Sequence, residues 1–155
     1  MIFNLIEQKT PQIINGGSHT DERGTISFVN NFDFEGVNRF YTIHHPNTEI
    51  IRAWQGHTQD SKYYYPVKGC WLIAWVKMEL DKAEEDWEVD YIKLSASDNK
   101  IVFLPPGYAN GFKALEKDSI IIGFSAPGGI EEKEILRWDS DRWLDWSFVE
   151  KDLSE

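Results

Sequence analysis

Cysteine is nearly missing from this chain. One residue, Cys70, in 155 excludes an intrachain disulfide framework and any zinc site built on several thiolates. Basic residues are also scarce: 16 Lys and Arg stand against 26 Asp and Glu, for a formal net charge of −10. A field of that sign opposes general binding to nucleic acid and attachment to anionic membranes. An anionic small ligand would need a local cradle of Arg and Lys. No apolar run approaches the ~18 residues of a membrane-spanning helix, and the first residues show no basic stretch followed by an apolar core. The expected compartment is therefore the cytoplasm. No internal repeat and no low-complexity segment interrupts the chain.

Aromatic side chains are abundant, with 7 Trp, 6 Tyr and 9 Phe. They favour strands and stacking surfaces. The length suits one domain over residues 1–155, and such a chain buries roughly 68–70% of its unfolded surface, so its core needs no covalent or metal staple.

Short β-branched and aromatic runs recur at Thr25–Val29, Arg39–Ile43, Glu49–Trp54, Lys62–Lys68, Cys70–Met78, Trp87–Leu94, Lys100–Leu104, Gly111–Leu115 and Ser119–Phe124. Between them lie connectors such as Asn15-Gly16-Gly17, His45-Pro46-Asn47, Ser97-Asp98-Asn99 and Pro127-Gly128-Gly129, and an acidic tip at Asp81–Asp86. Strands at this spacing, without helical patterns between them, predict an all-β sandwich or barrel. One short helix is expected after Asp139, where Trp143, Trp146 and Val149 recur at helical spacing. The run from Cys70 to Val76 does not alternate, so both of its faces should be covered. One meets the core. For the other, a second copy of the chain is favoured over the C-terminal helix, and a homodimer is expected.

The stretch Leu104-Pro105-Pro106-Gly107-Tyr108-Ala109-Asn110-Gly111-Phe112 ends one strand, turns a rigid corner and enters the next, placing Asn110 at the mouth or inside of a barrel. It resembles the "P-x-G-F-A-H-G-F" corner of the dTDP-4-dehydrorhamnose 3,5-epimerase family of the cupin superfamily. Asp21-Glu22-Arg23-Gly24 is similar to that family's "D-x-R-G", Lys62–Gly69 to its "K-L-V-x-V-x-x-G", and Ile135–Asp139 to its "I-x-W-x-D". The middle resembles the sugar 3,4-ketoisomerases: Phe40-Tyr41-Thr42-Ile43 matches "V-Y-Y-I", and Arg52-Ala53-Trp54-Gln55-Gly56-His57 matches "R-G-F-H-A-H". The resemblance implies a cupin-type antiparallel jelly-roll β-barrel with a short C-terminal helix.

It also implies proton removal from a carbon next to a ketone on a nucleotide-linked sugar, in bacterial deoxysugar or surface polysaccharide synthesis. Such a step needs a base near neutrality, for which imidazole is suited. The position of the leading family His holds Gln55, whose amide cannot take a proton. The second His survives as His57, the candidate base. The corner His is Asn110. The family's Tyr, thirteen residues further on, falls at Gly123, and its orienting Asp falls at Ser140 between Asp139 and Asp141. Tyr64 shares a strand face with Lys62 and is the second catalytic candidate, while Tyr63 and Tyr65 point the other way. His44 and His45 sit at a strand end near the cavity rim.

Arg23, Arg52, Gln55, Lys62 and Asn110 are the substrate-binding candidates, the guanidinium forks suiting a diphosphate. The resemblance implies that the first Arg reaches that diphosphate, in some members across a dimer. The usual cupin metal set would retain only His57, so no transition metal and no cofactor is expected. No strand–turn–helix signal supports Ser/His/Asp hydrolysis. Two readings stay open: a sugar-nucleotide epimerase or ketoisomerase, and a catalytically degenerate cupin that binds a sugar or sugar nucleotide without turnover, which the residues at 55, 110 and 123 favour.

Overall fold

The structure, a computed structural model, describes residues 8–128 and 135–153. Gly129 of the expected Pro127–Gly129 connector lies outside them. Twelve strands and one helix occur among the described residues: β1 (Gln12–Asn15), β2 (Gly17–Asp21), β3 (Gly24–Phe28), β4 (Arg39–His45), β5 (Ile51–His57), β6 (Ser61–Lys68), β7 (Cys70–Lys77), β8 (Val89–Ser95), β9 (Lys100–Leu104), β10 (Tyr108–Ala114), β11 (Ser119–Ala126), β12 (Leu136–Arg137) and α1 (Trp146–Leu153). Two five-stranded antiparallel sheets face each other, in the orders β1-β9-β6-β11-β4 and β12-β5-β10-β7-β8. β2 and β3 form a separate two-stranded ribbon. The all-β jelly roll with a short C-terminal helix is the observed architecture. No helix among the described residues is long and apolar enough to cross a membrane.

Strand alternation sorts the aromatic residues into layers. Tyr64, Trp71, Ile73, Val102, Leu104 and Phe112 turn inward and pack together between the sheets. Tyr63, Ile101 and Phe103 turn out from the first sheet, where Val29, Phe32 and Val37 cover them.

The non-alternating β7 strand is buried on both faces, as its sequence requires. The second cover is different from the one expected. Leu72, Ala74 and Val76 pack against Trp54, Trp87, Leu144, Trp146 and Val149 of the same chain, so the C-terminal segment takes the place assigned to a second subunit. Gly111 permits this contact: a Cβ there would lie 2.9 Å from the Trp146 ring. Lys113 adds an ion pair of 2.7 Å to Glu150 on the helix.

Other boundaries also moved. β1 (QIIN) has two adjacent Ile and β2 (GSHTD) has no apolar side chain, so no apolar alternation marked them; cross-strand pairing creates them. The helix starts at Trp146: Trp143 sits in the left-handed region at φ 67°, outside the helix, and Asp145 caps the first turn by accepting from the Phe148 N–H at 3.0 Å.

Candidate functional site

The site begins with an irregularity in β5. In a regular strand Arg52 and Gln55 would point to opposite faces. Asn110 opposes Gln55 and Gly111 opposes Ala53, so Trp54 is an extra residue in the ladder. The bulge re-phases the strand. Arg52, Gln55 and His57 then all line one cavity, while Trp54 faces outward and donates its indole N–H to the Arg142 carbonyl at 2.7 Å.

That cavity, about 280 Å³, is lined by strands of both sheets. It is at the small end of ligand sites, which run roughly 300–1,000 Å³. β6 supplies Lys62 and Tyr64, β10 supplies Asn110 and Phe112, and β4 supplies Arg39 and Tyr41. Six of the residues singled out in the sequence, Arg52, Gln55, His57, Lys62, Tyr64 and Asn110, therefore meet around one space.

Arg23 does not join them. It lies at the tip of the β2–β3 ribbon with its side chain 80% exposed, 2.6 Å from the Asp21 carboxylate. Asp139 and Asp141 do not line the cavity either.

The polar contacts form a chain across the floor. Asn110 Nδ2 donates to Tyr64 Oη at 2.9 Å, and Tyr41 Oη donates to the same oxygen at 3.4 Å. Burial drives the Tyr64 phenol well above its ordinary value, and the neighbouring Tyr41 adds to this. It stays neutral at physiological pH and is a poor base there. Burial also raises the Tyr41 phenol, against the opposing effects of its bond to Tyr64 and the Arg39 charge.

Lys62 is 4% exposed, unusual for an ammonium. Its Nζ donates to Ser125 Oγ at 2.8 Å and lies 3.7 Å from the Asp60 carboxylate. Arg39 and Arg52 reach the same cavity as exposed side chains. This forms a positive pocket in an acidic protein, as an anionic ligand would require.

Two residues of this site carried no assigned role in the sequence. Tyr41 stood inside the Phe40–Ile43 match without a partner that would give it one. Arg39 precedes that match. His45, by contrast, is buried away from the cavity, its ring 4.8 Å from that of Trp71.

Among the described residues, no group of three or more His, Cys, Asp or Glu side chains comes together as a metal would need. Around the cavity the imidazoles of His57 and His44 are accompanied by amides, phenols and cations and by no carboxylate or thiolate, a poor donor set for Fe or Zn.

No family model and no curated protein matches the chain by sequence. Solved structures do. A dTDP-4-dehydrorhamnose 3,5-epimerase from Sulfolobus tokodaii superposes with a TM-score of 0.74 at 21% identity, covering 95% of this chain and 89% of its own. A dTDP sugar isomerase from Desulfovibrio desulfuricans G20 gives 0.73 at 16% identity, over 90% and 92% of the two chains. A 3,4-ketoisomerase variant from Thermoanaerobacterium thermosaccharolyticum, in complex with TDP-4-keto-6-deoxyglucose, gives 0.63 at 14% identity, over 94% of each. The chain has the cupin-type fold of these dTDP-sugar epimerases and isomerases.

Proposed function

We propose that this protein is an isomerase of nucleotide-linked keto-sugars, an epimerase or ketoisomerase that removes a proton from the carbon next to a ketone, in bacterial deoxysugar or surface polysaccharide synthesis. The observation that carries the reading is the bulge at Trp54, which brings His57 and Arg52 into one cavity with Lys62. A base beside fixed cations is what this reaction needs. The base takes the carbon-bound proton, and the cations stabilise charge on a diphosphate or on the developing enolate oxygen. His57 is assigned the proton transfer. Arg52 and Lys62 hold anionic oxygens. Gln55 and Asn110, opposed across the β5–β10 pair, orient hydroxyl groups through their amides. Tyr64 supports Asn110 and Tyr41 from beneath. The neighbours with this fold act on dTDP-sugars or have one bound, which supports the substrate class.

A homodimer belongs to the same proposal, on a surface other than the covered face of β7. β2 and β3 pair only with each other among the described strands. A lone two-stranded ribbon is at best marginal in water. This one exposes Ile26 by 65% and Phe28 by 39%. A second copy packed on the ribbon would bury these residues and bring Arg23 toward the partner's cavity.

The test is a panel of thymidine and uridine diphosphate keto-sugars incubated with the protein in D₂O. Deuterium uptake into the sugar, followed by mass spectrometry, supports the isomerase. Saturable binding without uptake supports the alternative of a cupin that binds without turnover, which the amides at 55 and 110 favour.

A further inference from the structure

A second cavity lies on the outer face of the sheet that carries His57. Its volume is about 520 Å³, within the range of small-molecule sites. The β7–β8 connection, the corner at Gly107 and β12 enclose it. Met78, Leu80, Trp87, Leu136 and Trp138 make its walls apolar. Trp87 and Trp138 meet edge to face, with ring centroids 5.8 Å apart. Both indole N–H groups are taken up inside the protein. Trp87 donates to the Glu79 carbonyl at 2.8 Å, and Trp138 to a Glu84 carboxylate oxygen at 2.9 Å. The rings are therefore fixed in place and offer the groove carbon surface. Gly56 lies behind them: a Cβ there would be 2.7 Å from Met78 Sδ and 2.8 Å from the Trp138 ring, so both side chains rest on the β5 backbone. Gln55 and His57, on either side of Gly56, turn to the first cavity, and along the chain Ile135 lines the first cavity and Leu136 the second.

The charges at this groove are of one useful sign. Lys82 and Arg137 stand in its lining. Lys82 is shared with Glu79, at 3.2 Å. Arg137 is exposed, and no carboxylate among the described residues pairs with it. The lining carboxylate, Glu84, is already engaged: its oxygens accept from Trp138 and Arg142. Leu80 is 97% exposed at the rim, where an apolar body laid against it would be taken out of water.

We propose that this groove is a second ligand site, which takes a small molecule with a flat apolar body and one anionic group, an aryl carboxylate or sulfonate in chemical class. The body lies between Leu80, Leu136 and the two indoles, whose faces suit a flat ring. The anion meets the Arg137 guanidinium, whose fork matches a carboxylate or sulfonate, with Lys82 nearby. A cation in the same place would be repelled by both. The site stands on its own residues and does not depend on the role of His57.

The experiment titrates naphthylacetate into the isotopically labelled full-length chain and follows proton–nitrogen NMR. The indole N–H signals of Trp87 and Trp138 are expected to move saturably, with a Kd of about 1 mM or tighter, while the side-chain amides of Gln55 and Asn110 stay in place. Naphthylethanol, the same ring without the charge, should bind about two- to fivefold more weakly, and Arg137→Gln should remove that difference. Leu80→Glu, a change at an exposed position that leaves the fold intact, should weaken both probes at least about tenfold. Indole signals that do not move overturn the site, as does movement of the Gln55 and Asn110 amides in their place. Full affinity in Leu80→Glu does the same. Equal affinity for the acid and the alcohol overturns the anionic class. Indole shifts on raising the protein concentration alone would give the groove to a second copy of the chain and overturn the proposal.

Discussion

Asn110 donates its side-chain N–H to the hydroxyl of Tyr64 at 2.9 Å, both residues buried, one from each sheet. The bond ties β10 to β6 at the floor of the cavity. Removing the hydroxyl leaves a buried amide N–H without its acceptor, which costs about 1–3 kcal/mol. Tyr64→Phe is expected to lower stability by that amount in urea titration. In a double-mutant cycle with Asn110→Ala, the coupling should be about 1 kcal/mol. Additive effects would show that the bond contributes nothing to stability.

Arg52 and Lys62 should supply most of the anion affinity. A charge-assisted hydrogen bond of about 1.5–3 kcal/mol implies roughly 10- to 150-fold weaker binding of a thymidine diphosphate sugar to Arg52→Ala. Calorimetry measures this directly, and affinity should fall with added salt. Unchanged affinity in the folded variant would place the diphosphate elsewhere.

His45 makes stability depend on pH. It is 1% exposed, and neither ring nitrogen has a hydrogen-bond partner. Burial, followed by the charges of Arg52, His44 and Lys113, pushes its pKa down to about 4. The unfolded chain, with a His pKa near 6.5, then binds more protons than the folded one between those values. Stability should be full above about pH 6.5 and fall by roughly 3 kcal/mol as the pH drops through about 4. His45→Phe should abolish most of that slope, measured by denaturant titration across the range. An unchanged slope would assign the pH dependence to the carboxylates.

The β2–β3 ribbon should be the dimer contact. Ile26→Glu places a charge on its exposed apolar surface and is expected to convert a dimer to a monomer in sedimentation equilibrium, with the melting curve otherwise preserved. A monomeric unaltered protein, or a dimer that survives Ile26→Glu, would remove the ribbon from the interface.

The fold was legible because alternation and its absence are local. Lys62 and Tyr64 face one way and Tyr63 and Tyr65 the other, as a two-residue period demands, and the apolar run of β7 demanded two covered faces. The sequence did not say what covers the second face. Trp146 and Val149 lie some 70 residues further along the chain, and an apolar face attracts a helix of the same chain as well as another molecule. The bulge at Trp54 was equally invisible, because it follows from the pairing of β5 with β10. Tyr41 needed the register of β4 against β11 before its ring could be placed over Gly123. The similarity of Asp21–Gly24 to a family motif suggested a role for Arg23 but could not place it on an exposed ribbon.

The central claim is that His57 transfers the proton, and the rate of deuterium uptake into a nucleotide keto-sugar tests it most directly. A positioned base contributes about 10²–10⁴-fold. His57→Asn, with melting temperature and ligand affinity close to those of the unaltered protein, is expected to slow uptake at least about a hundredfold. Uptake at the unaltered rate in folded, ligand-binding His57→Asn would contradict the account.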